Sequence, residues 1–179
     1  MGRGRYKILD ERYPYFITTT VVNRCPVFEQ EEFAQIITEG LNFLVNEREV
    51  DIYAYIIMPD HIHVIAKGIN LGKHFSSFKS YSARRIIDSI ERNKMHDLLN
   101  AFKEAKRKFK KDRTHQFWAE GFHPKQIFNT DVMRQKISYI HYNPVKVGLV
   151  THPKIWKNSS FGDYEGKTSG LVKIKLFTG

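Results

Sequence analysis

Two β-rich runs separated by only two residues constrain this chain more than anything else in it. Ile52–Met58 is apolar, with β-branched and aromatic residues, and a second β-rich run, His61–Ala66, follows at once. Pro59 and Asp60 stand between them: Pro cannot continue a ladder, and Asp favours turns. The pair therefore reads as an antiparallel hairpin over about residues 50–67, although Pro-Asp is not a favoured primed-turn dipeptide. Side chains alternate along a strand, so Ile62, Val64 and Ala66 share one face while His61, His63 and Ile65 share the other. Two imidazoles on one strand face can grip a divalent ion. Taken alone, such a pair is more often ordinary strand structure, because a metal site needs further ligands.

The rest of the chain supplies elements to pack around this hairpin. Tyr15–Val22 is a strand by composition, and Asn23–Pro26 ends it. Glu31–Asn46 carries Phe33, Ile36, Ile37, Leu41, Leu44 and Val45 at helical spacing, with Glu29, Glu31 and Glu32 where the macrodipole favours acids. Gly68–Lys73 reads as a loop and His74–Asn93 as a helix; Met95–Arg113 reads as a second, very basic helical segment. Gln116–Phe122 and Lys125–Phe128 are short strand candidates. Asp131–Tyr142 is a helix, capped by Thr130 or Asp131 and interrupted by Asn143-Pro144. This order predicts one domain of α+β class: a ferredoxin-like four-stranded antiparallel sheet with helices on one face. Residues 1–14 form a basic arm, 15–150 the body and 151–179 a tail.

A formal net charge of +10 points to an anionic partner, and nucleic acid is the commonest for a compact basic domain. The contact candidates are Arg3 and Arg5 on the arm, Lys79, Arg84 and Arg85 on the long helix, and Lys106, Arg107 and Lys110 in the densest basic run. Cys25 is the only cysteine, which excludes an intrachain disulfide and a cysteine-based zinc site. There is no apolar run of membrane-spanning length and no apolar leader, so the expected location is the cytoplasm.

Tyr139 and Asn143 stand four apart, on one face of the last helix. If that face meets the histidines, an amide oxygen becomes a third ligand for a hard cation and a phenol becomes a nucleophile beside it. Spacing by itself fits equally a packed tyrosine and an asparagine that closes a helix. His61-Ile62-His63 within MPDHIHVIAK, together with YIHYNPVKVGLV at 139–150, resembles the single-tyrosine HUH transposases, above all the REP-associated tyrosine transposases. The resemblance runs from about Tyr15 to Tyr164 and takes in FWAEGFHPKQIFN and IWKNSSFGDY.

That resemblance implies a ferredoxin-like sheet with the histidines on a central strand and the catalytic tyrosine, Tyr139, on a helix near the C-terminus. It implies His61, His63 and Asn143 as ligands of a divalent metal, Mg²⁺ or Mn²⁺, with no nucleotide cofactor. The implied activity is cleavage and rejoining of single-stranded or hairpin DNA through a 5′-phosphotyrosine, in a bacterial or archaeal, nucleoid-associated protein. Insertion-sequence members are dimers that share active sites, whereas the REP-associated relatives are monomers; the tail is similar to the latter. The basic run near Lys103–Arg113 is less typical of the family, and its DNA contact rests on charge alone. Two other functions remain compatible with the sequence: a domesticated DNA-binding protein without catalysis, and a metal-dependent phosphodiesterase in which water attacks.

Overall fold

The computed structural model describes residues 8, 10–106, 114–166 and 170–179. Arg3, Arg5, Arg107 and Lys110 lie outside the described residues. Strand β1 (Tyr15–Thr20) leads through two short turns to helix α1 (Glu31–Arg48). The hairpin follows as β2 (Asp51–Met58) and β3 (His61–Lys67), with Pro59-Asp60 as its two-residue turn. Then come α2 (Leu71–Arg92), α3 (His96–Glu104), β4 (His123–Gln126), α4 (Thr130–Lys146) and a single turn, α5 (Phe161–Tyr164).

The four strands form one antiparallel sheet in the order β2-β3-β1-β4. The two halves, β1-α1-β2 and β3-α2-β4, each skip one strand and interleave, which is the ferredoxin-like arrangement. β3 is central, so both of its faces are covered. Ile62, Val64 and Ala66 join Ile17, Leu41, Phe75 and Ile86 in a core beneath α1 and α2. Ile65 joins Phe16, Ala54, Ile56, Met133, Ile137 and Ile140 in a second core beneath α4. Helices therefore cover both faces of the sheet, rather than the one face expected. The cause lies in β2, where Ala54, Ile56 and Met58 present a second apolar row that needs its own cover. A bulge at Tyr53 inserts one unpaired residue, so that Ile52 faces the first core while Tyr53 and Ala54 both face the second.

Several element boundaries differ from expectation. α2 starts at Leu71 within the predicted loop, because Leu71 is itself buried (1% exposed) and anchors the first turn. α3 ends at Glu104, short of the predicted Arg113. Gln116–Phe122 is not a strand; Trp118 forms one isolated bridge to Val21, and pairing resumes only at His123. The cap of α4 is Asn129, whose side chain accepts a hydrogen bond from the Val132 amide at 2.9 Å. Pro144 does not interrupt that helix. It sits inside the last turn, which the Val147 N–H closes by donating to the Asn143 carbonyl. A proline this near the end forfeits one internal hydrogen bond without having to propagate its kink.

The tail covers the free edge of β2. Ile57 N–H donates to Asn158 O, Ser160 N–H to Tyr55 O, and Lys175 N–H to Ile52 O. Trp156 Nε1 donates to the Ile57 carbonyl at 2.9 Å, and the Tyr164 hydroxyl to the Tyr53 carbonyl at 3.0 Å. Edge amide and carbonyl groups that would otherwise be open to another strand are thereby satisfied. Among the described residues, no helix is long and apolar enough to cross a membrane.

Candidate active site

Register builds the site. β3 sits between β2 and β1, so His63 has Thr18 on one side and Ile56 on the other, while His61 lies between Thr20 and Met58. The two imidazoles are 4.7 Å apart between centroids. Each has a separate partner for Nδ1: Thr18 Oγ1 lies 2.8 Å from that of His63, and Asp60 Oδ1 lies 2.5 Å from that of His61. Arg24 reaches the other Asp60 oxygen at 3.0 Å. With Nδ1 engaged on both rings, the ring positions left to bind a ligand are the two Nε2 atoms.

Electrostatics keep His63 neutral. Burial, and then the positive charge of His61, Lys136 and Arg24, pull the His63 imidazolium down to about 3, so the ring is neutral at physiological pH. Burial pushes the Asp60 carboxyl upward, but the hydrogen bonds from His61 and Arg24 outweigh it, and the group ends below its ordinary range.

α4 packs across this face and brings Tyr139 down to the pair. The Tyr139 ring is 5.5 Å from His63, edge-on, and 5.8 Å from Phe16. Phe16 also stacks on His63 at 5.1 Å, so one aromatic side chain braces both. Tyr139 stays 37% exposed. Two cations flank it: Lys136 Nζ lies 5.7 Å and Lys146 Nζ 5.1 Å from the ring centroid. Asn143, one turn along the helix, is buried (5% exposed). His141 points the other way, as two helical positions require, and places Nε2 3.0 Å from Ser160 Oγ.

The donor set suits a hard divalent cation of modest affinity. Among the described residues there is no cluster of three or more His, Cys, Asp or Glu side chains, so two imidazoles must be completed by a ligand of another type. Asn143, one turn from Tyr139 on the same helix, carries an amide oxygen of the type required. A set of neutral ligands leaves the cation's charge uncompensated and available to a phosphate.

The basic candidates divide. Lys79 donates from Nζ to the carbonyls of Ala119 (3.1 Å) and Gly121, tying α2 to the segment before β4. Arg85 turns away from it, toward the Tyr81 hydroxyl at 2.7 Å and Glu39 at 4.0 Å. Arg84 is exposed and Lys106 half-buried. Thr18, Asp60 and Phe16 are the residues that sequence reasoning missed. Asp60 is adjacent to the pair and was legible only as a turn former. Thr18 is 45 residues away from His63 and could be found only through strand register.

Comparison with known proteins gives this geometry a family. The model for IS200-like transposases matches residues 11–143, which span β1 through Asn143. The chain belongs to the IS200-like transposase family. Among solved structures, a REP-associated tyrosine transposase bound to a REP hairpin superposes with a TM-score of 0.68 at 18% identity, over 100% of this chain and 95% of that one. The likeness establishes the shared fold. A proposed transposase from Deinococcus radiodurans R1 aligns at 16% identity over 80% of this chain and 97% of its own, with a TM-score of 0.48. No curated protein sequence matches.

Proposed function

We propose that this transposase cleaves and rejoins single-stranded DNA with Tyr139 as the nucleophile and His61, His63 and Asn143 as ligands of Mg²⁺ or Mn²⁺. The observation that carries the reading is the approach of an exposed phenol to a buried, neutral, hydrogen-bonded histidine, with two lysines near the phenol ring. A phenol attacks phosphorus only as its anion, and Lys136 and Lys146 supply positive charge close to the ring. The Tyr139 oxygen bonds to phosphorus as the bond to the 3′ oxygen breaks. The 3′ hydroxyl leaves with a proton, and the 5′ phosphate stays on the protein. Rejoining reverses these steps and conserves the phosphodiester energy, so no nucleotide is consumed. A divalent cation on His61, His63 and Asn143 would supply Lewis-acid stabilisation of charge on the phosphate oxygens.

The remaining work falls to the chain itself. Thr18 and Asp60 hold the two imidazoles as Nδ1–H tautomers. Phe16 fixes the ring plane of His63 and the approach of Tyr139. Hairpin or single-stranded DNA is the substrate class, in keeping with the hairpin bound by the structural neighbour.

The test is covalent trapping. Wild-type protein, a labelled single strand and Mn²⁺ should yield a protein–DNA adduct that survives denaturation. Tyr139→Phe should bind the same strand and yield none at any Mn²⁺ concentration. Strand cleavage without an adduct would instead indicate attack by water.

A further inference from the structure

We infer that the cleft between α2 and the segment running from residue 114 to 122 is a second site, which takes one unpaired nucleobase bearing an exocyclic amine. The inference rests on the reading of this chain as a single-strand DNA enzyme and adds a base-recognition site on the α2 side of the sheet, across from the chemistry.

The cleft has a volume of about 820 Å³, in the range of built small-molecule sites (~300–1,000 Å³). Its two walls are fastened together. Trp118 Nε1 donates to the Lys79 carbonyl at 3.1 Å and contacts Ser82 Oγ at 3.2 Å, while Lys79 Nζ donates back to the Ala119 carbonyl at 3.1 Å. The shape is therefore fixed before any ligand arrives.

Gln116 is the reason to expect a base. Its residue is 93% buried, being 7% exposed, and it lines the cleft. Its Nε2 donates to the Trp118 carbonyl at 2.5 Å, which settles which end of the amide is which, since only the nitrogen can donate. Oε1 is left buried, with no hydrogen-bond partner among the described residues. A buried acceptor without a donor costs ~1–3 kcal/mol, so a ligand N–H placed there recovers a substantial penalty. The Asp88 carboxylate on the α2 wall adds a second acceptor, and Arg84 at the exposed margin is a donor for the phosphate of the same nucleotide. An amine donor meets this wall favourably, whereas a base carbonyl in its place would set acceptor against acceptor.

Position links the cleft to the site. The Ala119 N–H donates to the Thr20 carbonyl at 2.8 Å, and Thr20 pairs with His61. Ala119 and His61 thus stand two strand spacings apart, ~10 Å. The cleft opens on the α2 side of the sheet and Tyr139 stands on the α4 side, so a strand engaging both must round the sheet edge at Ala119.

Cytosine and thymine differ at the relevant group: one carries an N4 amine, the other an O4 acceptor. The full chain should bind oligo-dC about tenfold more tightly than oligo-dT of equal length by fluorescence anisotropy at neutral pH and fixed salt. Gln116→Leu should bring that ratio to about one. Ser80→Trp fills the cleft from an exposed helical position without disturbing the core, and should do the same. Equal wild-type affinities, or a ratio that persists in Ser80→Trp, would overturn the inference. Trapping through Tyr139 on the same preparation separates the two readings. An adduct with equal dC and dT binding removes the cleft alone; a dC preference without an adduct removes the chemistry alone.

Discussion

Thr18→Val tests the proposed site at its least obvious residue. The substitution removes one hydroxyl from the middle of β1 and keeps both branches at Cβ, so strand propensity is preserved. What it deletes is the 2.8 Å contact to His63 Nδ1, on a ring only 5% exposed. Two consequences follow, of separate magnitude. Nδ1 becomes a buried polar atom without a partner, which should lower stability by ~1–3 kcal/mol. The ring, kept neutral by burial, also loses the group that selects its tautomer. It can then place the proton on Nε2, where a metal must bind. Loss of such an orienting partner typically weakens metal affinity ~10–100-fold, equivalent to about 1.4–2.7 kcal/mol. The assay is a Mn²⁺ titration by calorimetry, paired with ¹⁵N chemical shifts of the His63 ring in metal-free protein. The expected result is a shift from the Nδ1–H toward the Nε2–H tautomer, weaker Mn²⁺ binding, adduct formation restored by excess Mn²⁺, and recovery of all three in Thr18→Ser. Unchanged affinity and an unchanged tautomer would refute the reasoning, and Thr18 would then be a strand residue that merely touches a histidine.

Asn143→Ala should weaken Mn²⁺ binding and let excess metal restore adduct formation, in contrast to Tyr139→Phe; an Asn143→Ala protein with wild-type Mn²⁺ affinity would show that the amide is not a ligand. Metal-free protein should lose stability on acidification below about pH 6.5. Burial holds His63 at about 3 and His141 at about 4, so the unfolded chain, with ordinary histidines near 6.5, takes up protons first. The loss should be ~2–4 kcal/mol between pH 6.5 and pH 5, at up to about 1.4 kcal/mol per pH unit per histidine, and should level off near pH 3–4; urea midpoints that do not move over that window would contradict it. Ser160→Ala should cost ~1–3 kcal/mol, because Ser160 Oγ receives the Tyr55 amide at 3.0 Å and meets His141 Nε2 at 3.0 Å in a fully buried position; a thermal midpoint within a degree of wild type would mean that neither contact matters.

Much of the fold could be read from the chain because its signals were local. The Pro59-Asp60 break and the alternation from His61 to Ala66 depend only on neighbours in sequence, and both reappear in the pairing of β2 with β3. The apolar period of residues 31–46 likewise reappears as the buried stripe of α1. The second layer could not be read that way. The side of the sheet that α4 covers depends on the second apolar row that Phe16, Ala54, Ile56, Met58 and Ile65 build across three strands, and no residue type marks the bulge at Tyr53 that reverses the facing of Ile52. Gln116–Phe122 misleads for a related reason. Its Phe and Trp have strand character, but their aromatic rings fill the core beside Phe28 and Phe102, and one bridge is all the pairing they make.

The candidate site divides along the same line. That Tyr139 and Asn143 share a helix face and the histidines a strand face could be read because one helical turn and one strand face are short-range facts. Their meeting is a long-range fact: β3 must be central, α4 must cover the histidine face, and β1 must present Thr18 in register with His63. The three orienting groups come from three sources. Asp60 is the hairpin turn, Thr18 the neighbouring strand, and Phe16 the same strand one turn of the pleat away. Asp60 is constrained twice, since a Gly there would close the turn equally well yet leave His61 without an acceptor and Arg24 without its 3.0 Å partner. A residue chosen only for the turn would not need a carboxylate, and Asp60→Asn separates the two demands. It keeps a turn former and an acceptor oxygen but loses the charge held by Arg24, so its effect should fall on His61 and leave the hairpin standing.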